Sequence, residues 1–135
     1  MEINIKVNET QAGIIKQALD FYSRFLMGQF ERIDDLMMWK SNYSKDQQKS
    51  ERLNALISEM RDIIYPELNG YAHWGIFNPK CPEESKVAYD VIQVLRHELW
   101  KLDPDKRYST VDAGRPIQSS EEELCRVDIL VEDVI

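Results

Sequence analysis

Hydrophobic residues recur at helical spacing in the early part of the chain. The first run follows Asn8 and Thr10, either of which can cap a helix. Its apolar positions are Ile14, Ile15, Ala18, Leu19, Tyr22, Phe25 and Leu26. A shorter run consists of Phe30, Ile33, Leu36 and Met37. Since three- and four-residue spacing places side chains on one helix face, the pattern predicts two amphipathic helices separated by a bend at Gly28.

A third helical run occupies the middle of the chain. Residues 42–44 are typical of a turn, and Ser44 with Gln47 three residues later matches a capping box. The apolar positions that follow are Leu53, Leu56, Ile57, Met60, Ile63 and Ile64. Because proline cannot continue a helix, we expect this one to end before Pro66.

A structured loop and a fourth helix come next. Residues 68–81 are rich in glycine and aromatic residues and show no period. Pro82 suits the first turn of a helix, and the two glutamates after it complement the positive end of the helix dipole. The helix is expected to continue to about Leu102. Its predicted core stripe comprises Val87, Val91, Val94, Leu95 and Leu99.

Three segments show the pattern of short strands. Apolar and polar residues alternate over residues 3–7 and again from Cys125 to Val131, which is typical of a half-buried strand. Tyr108 to Asp112 suits a third, shorter strand. The sequence therefore predicts an α+β fold, in which about four helices pack on a small antiparallel sheet formed by the N-terminal strand and the C-terminal strands. At this length we expect a single domain over residues 1–135.

Charge and composition exclude several classes of partner. The net charge is −7, and no run of Lys and Arg forms a basic patch, so a long nucleic acid would be repelled. No apolar run is long enough to span a membrane, and the start of the chain lacks a signal region, so we expect a cytoplasmic protein. Two cysteines are too few for a disulfide framework.

An alternating strand at a sheet edge favours pairing between subunits, so we expect a homo-oligomer.

The loop and the fourth helix hold the best ligand site. Tyr89, Gln93, Arg96 and Trp100 recur at spacings of four, three and four residues and so share one stripe of the helix. An aromatic ring, an amide and a guanidinium suit the base and the phosphate of a nucleotide. The predicted ligand contacts are Tyr71, Trp74, Tyr89, Gln93, Arg96, His97 and Arg115. The alternative interpretation is that these side chains fill a second packing interface.

Catalytic and metal chemistry find little support in the sequence. Asp90 and His97 share a helix face but lie two turns, or about 10 Å, apart, which is too far for a direct contact. Cys81, at a helix start, lacks a base placed by any recognisable motif. The two histidines and two cysteines show no spacing typical of a metal site. We therefore expect no catalytic residues, no metal and no cofactor.

Several motifs resemble one family of proteins. The central motif is N-P-x-x-P followed by V-A-Y-D-x-x-Q-V-x-R-H-x-L, and its residues are Asn78, Pro79, Pro82, Val87 to Asp90, Gln93, Val94, Arg96, His97 and Leu99. Two further motifs are A-L-D-x-Y-S-R-x-x-x-G-Q-F from Ala18 to Phe30, and T-V-D from Thr110 to Asp112 with Pro116 after it. The chain resembles a group of small uncharacterised proteins encoded by tailed phages and prophages.

The resemblance implies a function class by analogy. Small phage proteins without enzymatic motifs are often counter-defence factors, and some are oligomeric sponges for the cyclic nucleotide signals of bacterial immunity. We therefore expect a protein of the host cell cytoplasm that binds a small nucleotide immune signal without degrading it. One alternative is an inhibitor that binds a host protein through its acidic surface. Another is a small enzyme that degrades a nucleotide.

Overall fold

The fold is built from four helices. The computed structural model describes residues 1–37, 46–68, 72–102 and 115–130. The helices are α1 (Glu9–Leu26), α2 (Arg32–Met37), α3 (Gln47–Ile64) and α4 (Glu83–Leu102). All four predicted helices are thereby confirmed.

The chain divides into two compact units. Unit 1 comprises Met1–Asp20 and Lys86–Ile135, and unit 2 comprises Phe21–Ser85. Both boundaries fall inside helices, so α1 and α4 each contribute residues to both units. A single domain over residues 1–135 stays a prediction.

The predicted α+β fold with an antiparallel sheet is wrong. Within the described ranges the structure contains helices and no strand. Residues 1–8 and 123–130 keep their alternating pattern but belong to no regular element. Alternation makes a segment suitable for a sheet, whereas a strand exists only when a second segment supplies the backbone hydrogen bonds. The predicted strand from Tyr108 to Asp112 lies outside the described residues.

Local side-chain contacts determine where the long helices begin. Asn8 caps α1: its Oδ1 accepts from the backbone N–H of Gln11 at 2.8 Å, while Oε1 of Gln11 accepts from the N–H of Asn8 at 2.9 Å. Asp46 caps α3, because its Oδ1 accepts from the N–H of Lys49 at 2.7 Å. The cap of α3 is therefore two residues later than the predicted Ser44. This helix ends at Ile64, before Pro66, as the sequence predicts.

A row of aromatic rings forms the interior of unit 2. Phe21, Phe25, Phe30, Tyr65 and Trp74 contact one another in this order, with successive ring centroids 5.4, 4.7, 5.7 and 4.4 Å apart. Aromatic pairs at these distances contribute stability beyond the area that they bury. The buried apolar cluster beside this row consists of Met27, Leu68, Trp74 and Cys81.

Arg61 fills the space beneath the turn after α1. Its side chain is only 1% exposed, Nε donates to the carbonyl of Gly28 at 3.3 Å, and Nη2 pairs with Glu31. The guanidinium carbon lies 5.8 Å from the ring centroid of Phe30. Because a buried cation is tolerated only when its donors are satisfied, these contacts explain how α3 carries an arginine into the interior.

Unit 1 takes its core from α4. Ala88, Ile92, Val94 and Leu95 are all less than one-tenth exposed. Two polar residues of the same helix, Asp90 at 4% and Gln93 at 1% exposure, are equally buried. A buried polar side chain needs partners, and the partners of these two lie at the far end of the chain.

Candidate functional site

The candidate stripe of α4 faces in part toward residues 115–120. Tyr89, Gln93, Arg96 and Trp100 recur every three or four residues and share one side of the helix. Asp90 and His97 flank this stripe, since each follows one of its members. All six residues belong to unit 1.

Asp90 binds two consecutive serines. Its Oδ1 accepts from the backbone N–H of Ser119 at 2.8 Å and from the hydroxyl of Ser119 at 2.6 Å. Its Oδ2 accepts from the N–H of Ser120 at 3.0 Å and from the hydroxyl of Ser120 at 2.6 Å. Each carboxylate oxygen thus accepts two hydrogen bonds, so Asp90 positions Ser119 and Ser120 against α4.

Gln93 pairs with the backbone of Ile117. Its Nε2 donates to the carbonyl of Ile117 at 2.6 Å, and its Oε1 accepts from the N–H of Ile117 at 2.8 Å. The side-chain amide thus takes the place of a neighbouring strand. The sequence predicts this amide as a contact to a base edge, but both of its polar atoms are bonded within the chain.

Two donors of Arg96 meet no acceptor in the described part of the chain. Its Nε and Nη2 are covered from solvent, and no hydrogen-bond acceptor meets them in the described part of the chain. These two nitrogens form one edge of the guanidinium, where two N–H bonds point in parallel. Such an edge matches two oxygens of a carboxylate or phosphate. Arg96 is therefore equipped to bind an anion.

Two rings lie on the next turn of α4. The rings of His97 and Trp100 stack, with centroids 5.8 Å apart and planes inclined by 19°. Tyr89, on the turn before Gln93, is half-buried. The stripe therefore combines aromatic faces with a guanidinium edge that meets no acceptor among the described residues of the same unit.

The remaining predicted contacts lie elsewhere in the chain. Trp74 belongs to unit 2, where it is 7% exposed, its ring packs against Tyr65, and its backbone N–H donates to the carbonyl of Met27 at 2.9 Å. Arg115 is exposed and lies in unit 1, two residues before Ile117. Tyr71 lies outside the described residues. Unit 1 thus contains Tyr89, Gln93, Arg96, His97 and Arg115.

Sequence reasoning missed Ser119 and Ser120. The two serines precede the acidic run 121–123, a pattern typical of an exposed helix start, and no spacing relates them to Asp90. Their role depends on a contact across about thirty residues of sequence, which no local pattern encodes. The signal in the sequence was the position of Asp90 among the apolar residues of the predicted fourth helix.

Neither a metal cluster nor a membrane span occurs in the described ranges. Where the structure describes the chain, no three His, Cys, Asp or Glu side chains are grouped so that they could hold a metal ion. No described helix combines the length and the apolar character needed to cross a membrane. Neither Cys81, which is buried, nor Cys125, which is exposed, forms a disulfide in the described part of the chain.

Comparisons with known proteins give no relationship. The chain matches no protein-family model, no curated protein and no solved structure.

Proposed function

We propose that this protein binds a small nucleotide signal through a phosphate at Arg96 and sequesters it without degrading it. The observation that carries the proposal is the covered edge of the guanidinium, whose Nε and Nη2 lack acceptors in the described chain. A buried donor without a partner costs free energy in the unliganded protein. An anion that supplies two oxygens would recover this cost on binding.

The rings on α4 support a nucleotide rather than a simple anion. Trp100 lies one turn beyond Arg96 on the same stripe and stacks with His97. Any nucleobase can stack on such a surface, because every base has a flat aromatic face. Because Gln93 is bonded to Ile117, the proposal assigns base contacts to the rings and phosphate contacts to Arg96.

Sequestration without turnover agrees with the state of the two ionisable side chains beside the stripe. Asp90 accepts four hydrogen bonds from the two serines, and His97 stacks on Trp100. General acid–base catalysis needs a group that can reach the substrate and exchange a proton with it. The resemblance to phage-encoded proteins adds a context, since such a protein would remove an immune signal of the host.

The test compares two substitutions at Arg96 with one matched control. R96M keeps an unbranched apolar stem and removes the charge, whereas R96K keeps the charge and removes the parallel donors. R126M is the control, because Arg126 is an exposed arginine of the same unit whose side chain pairs only locally with Asp128. The probes are cyclic di- and trinucleotides and cyclic ADP-ribose isomers, and thermal shift detects their binding.

With one of the probes, we expect the melting temperatures of the native protein and of R126M to rise by the same amount. R96K should weaken binding by about tenfold or more, and R96M should abolish it. Without ligand, R96M should be as stable as the native protein or more stable by about 1 kcal/mol, because it removes two covered donors that meet no acceptor in the described chain. A marked loss of stability in unliganded R96M would contradict the proposal and assign Arg96 a structural role.

Chromatography of the released ligand separates the remaining alternatives. Intact ligand after denaturation agrees with sequestration, whereas an altered ligand identifies an enzyme. If no probe shifts the melting temperature, the inhibitor of a host protein becomes the better explanation. The exposed acidic residues 121–123 favour that alternative, and capture of one host protein that weakens with salt would support it.

A further inference from the structure

Residues 1–7 present an unpaired apolar face. Ile3, Ile5 and Val7 are 74%, 75% and 40% exposed, and the odd-numbered positions of the segment are all apolar. Among the described residues, the backbone of residues 1–7 has no hydrogen-bond partner. The segment therefore has both the side-chain pattern and the free backbone groups that a strand needs.

The segment is complementary to itself in antiparallel orientation. When two copies are aligned with Asn4 facing Asn4 of the partner subunit, Ile3 faces Ile5 of the partner subunit. In the same register Glu2 faces Lys6 of the partner subunit, and the two-fold symmetry repeats each pair. Opposite charges directly across two strands stabilise their pairing. In this register the apolar side chains of both strands lie on one face of the ribbon, and opposite charges lie across from each other on the other face.

We propose that residues 1–7 pair with the same segment of a second copy of this chain as an antiparallel two-stranded ribbon, with Glu2 opposite Lys6 of the partner subunit. A parallel, in-register ribbon would instead place like charges opposite each other at both charged positions. The eight apolar side chains of the ribbon share one face. Ile14 and Ile15 of α1, which are 61% and 36% exposed in the same unit, are available to cover it.

The first test uses charge reversal and mixing. In E2K both cross-strand charge pairs join two positive side chains, and in K6E both join two negative ones. Each variant alone should therefore dimerise at least about tenfold more weakly than the native chain. An equimolar mixture of the two variants restores both opposite-charge pairs, so it should form a heterodimer of native affinity. Sedimentation equilibrium gives the affinities, and native mass spectrometry distinguishes the heterodimer from the homodimers.

The controls separate register from general charge effects. The double variant E2K/K6E should dimerise like the native chain, because every cross-strand pair is again opposite in sign. E123K makes the same change of charge at an exposed position outside the segment and should leave dimerisation unchanged. A native chain that stays monomeric up to millimolar concentration would overturn the proposal. A mixture of E2K and K6E that pairs no better than either variant alone would overturn it as well.

A second test locates the two-fold axis. In a C125S background, which removes the exposed native thiol, N4C places two thiols directly opposite each other, within the range of a disulfide. E2C in the same background places its two thiols about 14 Å apart, beyond that range. Under mild oxidation N4C should cross-link rapidly and E2C should not. Equal cross-linking of the two variants would contradict the proposed register.

Discussion

Gly28 ends α1 in a conformation that other residues rarely adopt. Its φ is 96°, its N–H donates to the carbonyl of Phe25 at 3.0 Å, and the next N–H donates to the carbonyl of Arg24 at 3.0 Å. A Cβ at this position would lie 2.6 Å from Cδ1 of Leu68. Glycine is therefore required both by the backbone angle and by the packing of unit 2.

We expect Gly28→Ala to lower the free energy of unfolding by about 2 kcal/mol or more. The positive φ accounts for about half of this loss, and the displacement of Leu68 accounts for the remainder. Gly13→Ala is the matched control, because Gly13 lies inside α1 and a Cβ added there would meet no atom within 4 Å. In that variant the free energy of unfolding should rise by up to about 1 kcal/mol, because alanine has a higher helix propensity than glycine. Urea denaturation measures both, and equal effects would contradict the assignment of strain to Gly28.

At the scale of single residues the sequence was informative where the cause is local. The break at Gly28 and the cap at Asn8 follow from residues within four positions of each other. Arg96 could be selected as an anion contact from its stripe, but its lack of an acceptor became known only from the structure. Gln93 shares that stripe, yet its partner Ile117 lies 24 residues away. Helical spacing cannot distinguish these two outcomes.

At the scale of elements, α4 holds the 115–120 segment through polar side chains. Asp90 binds both serines, Gln93 binds Ile117, and the hydroxyl of Ser119 lies 3.2 Å from the carbonyl of Lys86. These hydrogen bonds are partly or fully buried, and in each of them one partner belongs to α4. Helix and segment are thus joined by hydrogen bonds of defined direction rather than by apolar contact alone.

We expect Asp90→Asn to destabilise the native state by about 2 kcal/mol. The amide keeps the size of the side chain but replaces one acceptor oxygen with a donor, which then faces the N–H and hydroxyl of one serine. Asp62→Asn, at an exposed position of α3, should change stability by less than about 0.5 kcal/mol. Amide hydrogen exchange provides the local measurement, because the N–H groups of Ser119 and Ser120 should exchange faster in D90N. Unchanged exchange at both amides would contradict the proposed contact.

The sequence predicted the helices well and the strands incorrectly, for a physical reason. A helix satisfies its backbone hydrogen bonds within its own segment, so its apolar period is sufficient evidence. A strand depends on a second segment, and residues 1–8 and 123–130 find none among the described residues. Near residue 117 the partner is a glutamine side chain on a helix, which no strand pattern anticipates.

At the scale of the whole molecule, Tyr65 makes the free energy of unfolding depend on pH in the alkaline range. Burial raises the pKa of Tyr65 above its ordinary value of 10.0, and electrostatic interactions with Cys81 and Glu67 raise it further. Between the pKa of the unfolded chain and the higher pKa of the native state, the unfolded state binds fewer protons. The free energy of unfolding therefore falls as pH rises through this window.

We expect Tyr65→Phe to reduce this alkaline dependence. The variant also loses the hydrogen bond from the Tyr65 hydroxyl to the carbonyl of Leu26, which costs about 1 kcal/mol at neutral pH. Tyr22→Phe, at an exposed ring, should leave the dependence on pH unchanged. Urea denaturation at a series of pH values from about 8 to about 11 measures the slopes, around the tyrosine pKa of about 10. If the free energies of unfolding of Y65F and of the native protein fell in parallel with pH, another group would be responsible for the alkaline dependence.

Nucleotide binding and dimerisation are independent proposals about the same molecule. The net charge of −7 opposes the approach of an anion, so binding of a nucleotide must rest on a local site such as Arg96. Residues 1–7 and Arg96 both belong to unit 1, but neither proposal requires the other. A chain that dimerises without binding a nucleotide would refute only the first, and a monomer that binds would refute only the second.

The pairing of Gln93 with Ile117 has an evolutionary consequence. The amide of Gln93 hydrogen-bonds to the backbone N–H and carbonyl at position 117, and the Ile117 side chain is 47% exposed. Any residue except proline can therefore replace Ile117 without loss of these bonds. Position 93, in contrast, needs an amide of this length. In any related sequence we accordingly expect position 117 to vary freely, which changes the outer surface of the segment, and position 93 to remain glutamine.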